Sequence, residues 1–296
     1  MGSAIFVVPN QYVIFPVYQL INRMKAVLVP TDLSDQANMA LPVAMSLAIQ
    51  HGADVRVLHY LPTAIIDPGL STAAITIGRY LKEQEADAQT ALTALCERYQ
   101  THAVRVTPVL SRHEKGLFGA VAEEDVDLVV LASHGAEGWA EWLIGSNAQH
   151  FVQTGDCPVL VVKQANTEYA PKKVLFAIDA DDRLKTQFSY PLSAADAHRE
   201  FLFVTIPNDP RVTEGIRAWM NELADAQGLT DYHLTILPYR VIHEGIIDYA
   251  RQHNFDLIVL YTSQRTGFWH FFNGSVAEDV VNHAPMPVLV IPLRSE

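Results

Sequence analysis

The chain has 296 residues, 49% of them hydrophobic, enough for one large core or two ordinary ones. Its formal net charge of −12, with no Lys/Arg run, argues against a nucleic-acid or anionic-membrane surface as partner. Two distant cysteines, Cys96 and Cys157, exclude a disulfide framework or a CxxC zinc site and fit a reducing cytoplasm, and no apolar run approaches the roughly 20 residues of a membrane span.

Residues 1–23 are apolar but broken by Pro9 and Pro16, and they lack the basic start and small-residue cleavage site of a signal peptide. They read as an extension outside the fold, with an edge strand or docking arm as the alternative. Patterned sequence begins at Met24-Lys25. "AVLVPT" is a short apolar run, as a strand buried on both faces should be. Ser34 or Asp35 can cap the next helix. There Ala37, Ala40, Leu41, Ala44, Leu47 and Ala48 share a face. Pro42 falls inside that pattern and should kink it. Gly52 stops it, and the strand "DVRVLHYL" follows. After Pro62 comes "TAIIDPGLSTAAITIGR", a candidate flap, and then a long helix from about Tyr80 to Gln100.

The strand "AVRVTPVL", the helix "LFGAVAEED" and the strand "DLVVLAS" come next. A glycine loop leads into the helix "NAQHFVQT", and the strand "CPVLVVK" closes the unit. Alternating strands and helices indicate a doubly wound α/β unit, a parallel sheet covered on both faces.

The unit occurs twice. "DLVVL" at Asp127 matches "DLIVL" at Asp256, Gly145-Ser146 matches Gly274-Ser275, and "PVLVV" at Pro158 matches "PVLVI" at Pro287, each time 129 residues apart. The starts, "KAVLVPTDLSD" at Lys25 and "KKVLFAIDADD" at Lys172, are 147 residues apart, so the first copy carries about 18 extra residues, most of them after Pro62. The expected organisation is an extension 1–23, a first domain 24–163, a linker 164–171 and a second domain 172–296. The valine-rich strands Pro158–Lys163 and Pro287–Pro292 should be buried, and pairing them antiparallel within the chain would join the copies as a pseudo-dimer.

In an open parallel sheet ligands bind outside the carboxyl ends of the strands. Three segments meet that edge in the first copy: Pro30-Thr31-Asp32, His59-Tyr60, and the loop from Leu131 to Asn147. Gly145-Ser146-Asn147 opens a helix, where free N–H groups and the helix dipole favour an anion such as a phosphate. A tight turn without ligand is the alternative.

The run Ala132-Ser133-His134-Gly135, nine residues, then Gly145-Ser146, together with the early Asp32, resembles the universal stress protein family, and the resemblance extends over both copies. It departs from the family pattern at Ala132, where a glycine is usual. The resemblance implies an adenine nucleotide, ATP with or without Mg, in the first copy. Asp32 would read the adenine edge, with Pro30 and Thr31 lining that pocket. Leu131 and Ala132 would contact the adenosine, and Gly135, Gly145, Ser146 and Asn147 would wrap the phosphates. Tyr60 stands where the family places a small residue or backbone, so its ring would either stack or crowd.

In the second copy Tyr261 and Gln264 replace the two early glycines, and Ala177-Ile178 replace Pro30-Thr31, although Asp179 remains. A degenerate pocket is expected, with an apolar ligand beside Phe268, Trp269, Phe271 and Phe272 as the alternative. The recurring pairs His113-Glu114 and His243-Glu244 read as repeat ancestry, and no catalytic base or metal site can be placed. The resulting reading is a cytoplasmic stress-response regulatory protein, with a slow ATPase or phosphotransferase and a non-binding interaction scaffold as alternatives. A further homodimer of the whole chain is compatible with it.

Overall fold

The computed structural model describes residues 24–62, 71–114, 116–132, 157–192, 197–207, 209–229, 232–263 and 276–294, with the side chains of 71–77, 118 and 263 excluded. Outside them lie residues 1–23, His134, Gly135, Gly145, Ser146, Asn147 and the helix expected at 147–154. Gln264, the aromatic residues 268–272, and Gly274-Ser275 lie outside them as well.

The first copy contributes β1 (Ala26–Thr31), α1 (Ala40–His51), β2 (Asp54–Tyr60), α2 (Ser71–Tyr99), β3 (Val106–Ser111), α3 (Gly116–Glu123), β4 (Leu128–Ala132) and β5 (Val159–Val162). The second contributes β6 (Lys173–Ala177), α4 (Leu184–Gln187), β7 (His198–Thr205), α5 (Thr213–Gln227), β8 (His233–Pro238), α6 (Ile242–Gln252), β9 (Leu257–Ser263), α7 (Val276–His283) and β10 (Val288–Leu293).

All ten strands form one sheet in the order β3-β2-β1-β4-β5-β10-β9-β6-β7-β8. Every pairing within a copy is parallel, and β5 with β10 is antiparallel. The second half is thus the first in mirror order. Leu160 faces Leu289, its own counterpart 129 residues on, so the pseudo-two-fold axis passes between them. Val159 pairs with Val290 and Val161 with Val288 on either side of that axis. The expected pairing of the two valine-rich strands is therefore observed.

Alternation along the strands divides the core into two layers. One holds Val27, Val29, Leu160, Phe176, Phe201 and Leu289 beneath α1, α2 and α5. The other holds Leu28, Val161, Leu175, Ile258 and Val288 beneath α3, α6 and α7. Both layers run through the two copies without a break.

Matching carboxylates lock the amino ends of the strands. Asp127 Oδ2 accepts the N–H groups of Lys25 and Ala26 at 2.6 and 3.0 Å, and Asp256 Oδ2 accepts those of Lys172 and Lys173 at 2.9 and 2.8 Å. Both copies thus place this Asp immediately before their fourth strand.

Three local expectations change. Pro42 does not kink α1, because residues 37–39 form a separate 3-10 turn and α1 starts at Ala40. Pro42 then lies in the first turn, where its missing N–H has no intrahelical partner to lose. The long helix starts at Ser71, so part of the insertion after Pro62 extends it. Between β6 and β7 the described residues contain only the four-residue α4 in place of the twelve-residue α1.

At the seam, Lys163 Nζ donates to the carbonyl of Val281 in the last turn of α7 at 2.6 Å. Burial lowers its pKa from 10.5 to about 8. The folded chain therefore binds fewer protons than the unfolded chain between about pH 8 and 10.5, and stability rises with pH in that window. Denaturant unfolding at pH 7, 8.5 and 10 should show wild type gaining stability relative to Lys163→Met as pH rises. An unchanged difference would place the amine in water. At the axis, Leu289 is fully buried, and Leu289→Ala should cost about 2–5 kcal/mol in the same assay.

Candidate functional site

In the first copy β1 lies between β2 and β4, so the chain leaves β1 toward one neighbour and returns to the other. That is the topological switch point, where strand ends diverge and open a crevice. Thr31 pairs with His59, and the register of β1 with β4 places Ala132 level with Thr31. The structure therefore brings Pro30, Thr31, Asp32, Tyr60, Leu131 and Ala132 together at one edge.

Their side chains differ in what they offer. Thr31 is buried, and its hydroxyl donates to Asn38 Oδ1 at 2.8 Å while accepting the N–H of Leu33 at 2.9 Å. Leu33 takes a positive φ of 70°, and Asn38 Nδ2 donates back to its carbonyl at 3.4 Å. Asp32 is exposed, with Oδ1 accepting the N–H of Ser34 at 2.8 Å. Ser34 Oγ in turn accepts the N–H of Ala37 at 3.1 Å, inside the loop, whereas α1 itself starts after Met39 with no side-chain cap, so neither Ser34 nor Asp35 caps it as expected. The loop is fastened by its own side chains, and Asp32 is held outward beside the crevice. Tyr60 is half-buried and packs in the layer of Leu28, Leu58 and Leu117, with its hydroxyl donating to the carbonyl of His113 at 3.4 Å. His59 Nδ1 lies 2.8 Å from the carbonyl of Thr31.

Arg112, just past β3, escaped the sequence reading. Its guanidinium donates to the carbonyls of Pro62 and Leu81, both at 3.3 Å, and faces Glu85 at 3.4 Å. It thereby ties together the two ends of the inserted segment. A lone arginine at the end of a strand, facing an insertion, is the only signal the sequence offered.

The corresponding edge of the second copy is built differently. Tyr261 occupies the place of Ala132, with its hydroxyl donating to the carbonyl of Ser189 at 2.8 Å and its ring 5.3 Å from Phe188. Phe188 lies 5.8 Å from Phe176 and 5.9 Å from Phe201, and those two rings stack at 5.0 Å. Aromatic rings thus cover one face of the β6–β9 junction. Asp179, in the place of Asp32, is an exposed residue whose carboxyl is crowded by protein. Burial and Asp181 raise its pKa, against Arg211 and Arg183, which lower it. Arg211 is held by Asp209 at 2.7 Å and lies 4.7 Å from the Phe203 ring.

The recurring histidines pair with acids elsewhere in the chain. His113 Nε2 is 2.9 Å from Glu123, and His243 Nδ1 is 3.1 Å from Asp279. Among the described residues no three potential ligands gather around a metal position. Burial raises the pKa of Cys96 to about 11, and burial with the nearby Asp127 raises that of Cys157 to about 12, so neither thiol is a nucleophile at neutral pH.

The sequence profile of the universal stress protein family matches residues 24–163 and 211–292, three quarters of the chain in two blocks. The chain belongs to the universal stress protein family. The unmatched stretch between the blocks holds β6, α4 and β7, where the second copy departs from the first. Universal stress protein YxiE of Bacillus subtilis is 25% identical over 151 residues, which are 49% of this chain and 100% of that protein. Universal stress protein MJ0531 of Methanocaldococcus jannaschii is 28% identical over 159 residues, 50% of this chain and 86% of its own length. Half of this chain thus spans each relative nearly whole. A universal stress protein structure from Archaeoglobus fulgidus covers 90% of this chain and 96% of its own, at a TM-score of 0.67 and 20% identity, and shares the two-copy fold.

The Thr31 hydroxyl joins two partners in a buried position. Thr31→Val, nearly the same shape, should cost about 1–3 kcal/mol by leaving the Leu33 N–H and Asn38 without it. Urea denaturation of the two proteins measures this, and equal midpoints would show the loop to be held otherwise.

Proposed function

We propose that this universal stress protein is a regulatory protein that binds one adenine nucleotide, ATP with or without Mg, at the carboxyl edge of its first copy. The second copy serves as a partner with a degenerate site. The observation that carries this reading is the contrast between two equivalent edges. At the first, a self-fastened loop holds the Asp32 carboxylate outward beside Leu131 and Ala132 at the switch point. At the second, the Tyr261 and Phe188 rings meet across the same position.

The proposed roles follow from the chemistry of each group. A carboxylate is an acceptor for the exocyclic amine of adenine. Pro30, Leu131 and Ala132 offer apolar contact to the base and ribose. Gly135, Gly145, Ser146 and Asn147, outside the described residues, would meet the phosphates through backbone N–H groups at a helix start. Mg, when bound, would neutralise phosphate charge. The Tyr60 phenol is tied to the His113 carbonyl, so its ring borders the site from the second core layer.

Titration calorimetry with ATP tests the reading. Wild type should bind about one nucleotide per chain, and Asp32→Ala should bind at least tenfold more weakly, about 1.4 kcal/mol. A folded Asp32→Ala protein with wild-type affinity would remove Asp32 from the site. Two nucleotides per chain would contradict the degenerate second copy.

A further inference from the structure

Among the described residues six large apolar side chains are exposed: Ile49, Tyr80, Ile206, Val212, Val241 and Val276. Single exposed apolar residues need no explanation, but four of these six stand together at the carboxyl ends of the second copy's strands. Ile206 directly follows β7, Val212 and Val241 immediately precede α5 and α6, and Val276 opens α7. Thr205 pairs with Pro238, and its carbonyl accepts the N–H of Tyr239 at 2.9 Å, so Ile206 and Val241 flank one pair of strand ends. His243 Nδ1 lies 3.1 Å from Asp279 Oδ2, which joins the starts of α6 and α7 and sets Val241 and Val276 in one stretch of the rim. The first copy has Ser111 and Asn147 at the equivalent sequence positions, 130 and 129 residues earlier. The apolar rim is thus peculiar to the second copy.

Residues 1–23 match it in chemistry and in place. They carry no charged side chain before Arg23, and they include Ile5, Phe6, Val13, Ile14 and Phe15. Solvated tails are poor in such residues and rich in charge, so this composition asks for a protein surface. Pro9 and Pro16 disfavour a helix and suit a segment laid along a surface. The segment joins β1 at its amino end, through Met24 and Lys25. At the seam Val159, the first residue of β5, faces Val290, while Val288, the first of β10, faces Val161. The amino ends of the first copy's strands therefore lie at the same end of the sheet as the carboxyl ends of the second copy's. The rim runs from β9, four strands from β1, to β8, seven strands away, about 19 to 33 Å. An extended segment of 23 residues spans up to about 75 Å. Ile49, in the last turn of α1, is a fifth exposed apolar residue at this end, since β2 follows at Asp54, whose N–H donates to the Lys25 carbonyl at 2.8 Å.

We propose that residues 1–23 are an intramolecular docking arm that lays its apolar side chains across Ile206, Val241 and Val276. The linker at 164–171 crosses at the other end of the sheet, from the carboxyl end of β5 to the amino end of β6, so the arm ties the copies where the linker does not. The rim is then open to another apolar partner only when the arm leaves it.

Limited chymotrypsin digestion of the full-length protein tests the proposal. Phe6, Tyr12 and Tyr18 supply cleavage sites in the arm. Val241→Ser combined with Val276→Asn gives the rim the first copy's residues at two exposed positions. Cleavage within the arm should be about tenfold faster in this variant than in wild type, because release of the arm governs access. Equal rates in the two proteins would overturn the proposal. A photo-reactive benzoylphenylalanine in place of Val241 gives an independent reading in an otherwise unchanged chain. On irradiation it should join to peptides from residues 1–23 of the same chain. Cross-links only to residues 264–275, or to a second chain, would give the rim another occupant and overturn the proposal as well.

Discussion

One strand pair holds this molecule together as a single body. Where β5 meets β10, Leu160 packs beside its own counterpart Leu289, flanked by four buried valines. Each of those side chains contributes about 1.5–3 kcal/mol by leaving water. Without the pairing, both copies would expose a flat, apolar strand edge, the feature that drives aggregation. With it, five parallel strands become ten, and two core layers extend across the whole chain. The covalent link makes the encounter intramolecular, so the join does not depend on protein concentration.

The same pairing frees the copies to diverge. Once the second copy is held by its sheet, its carboxyl edge no longer has to keep the features of the first. Among the described residues a one-turn helix stands where the first copy has α1, Tyr261 stands in the place of Ala132, and the Phe188 ring lies against it. Polar positions have also changed sign. Arg56 on β2 pairs with Glu124 at 2.6 Å, whereas the structurally equivalent Glu200 on β7 accepts from Thr235 at 2.8 Å and from the Tyr249 hydroxyl. Each arrangement satisfies its own buried or half-buried charge, and neither transfers to the other copy.

The architecture was legible in the sequence because its signals are local and repeated. Apolar runs of strand length, a constant spacing between Asp127 and Asp256, and the proline-led valine strands all survive as patterns along the chain. The part of the candidate site that rests on strand ends was legible for the same reason. What escaped depends on position or on distant partners. Pro42 reads as a helix breaker until the helix start is known to within a few residues. Thr31 reads as pocket lining, yet its hydroxyl turns inward to Asn38, a contact set by the loop. Arg112 acquires its role from Pro62 and Leu81, far away in sequence. Tyr169 looks like linker and proves to be core.

Because β5 and β10 run in opposite directions, the two carboxyl rims lie at opposite ends of the strands. The β1–β4 and β6–β9 junctions are also four strands apart, about 19 Å at the usual strand spacing. A small ligand at one rim therefore cannot touch one at the other. What the two rims have in common is the continuous β-layer that runs between them.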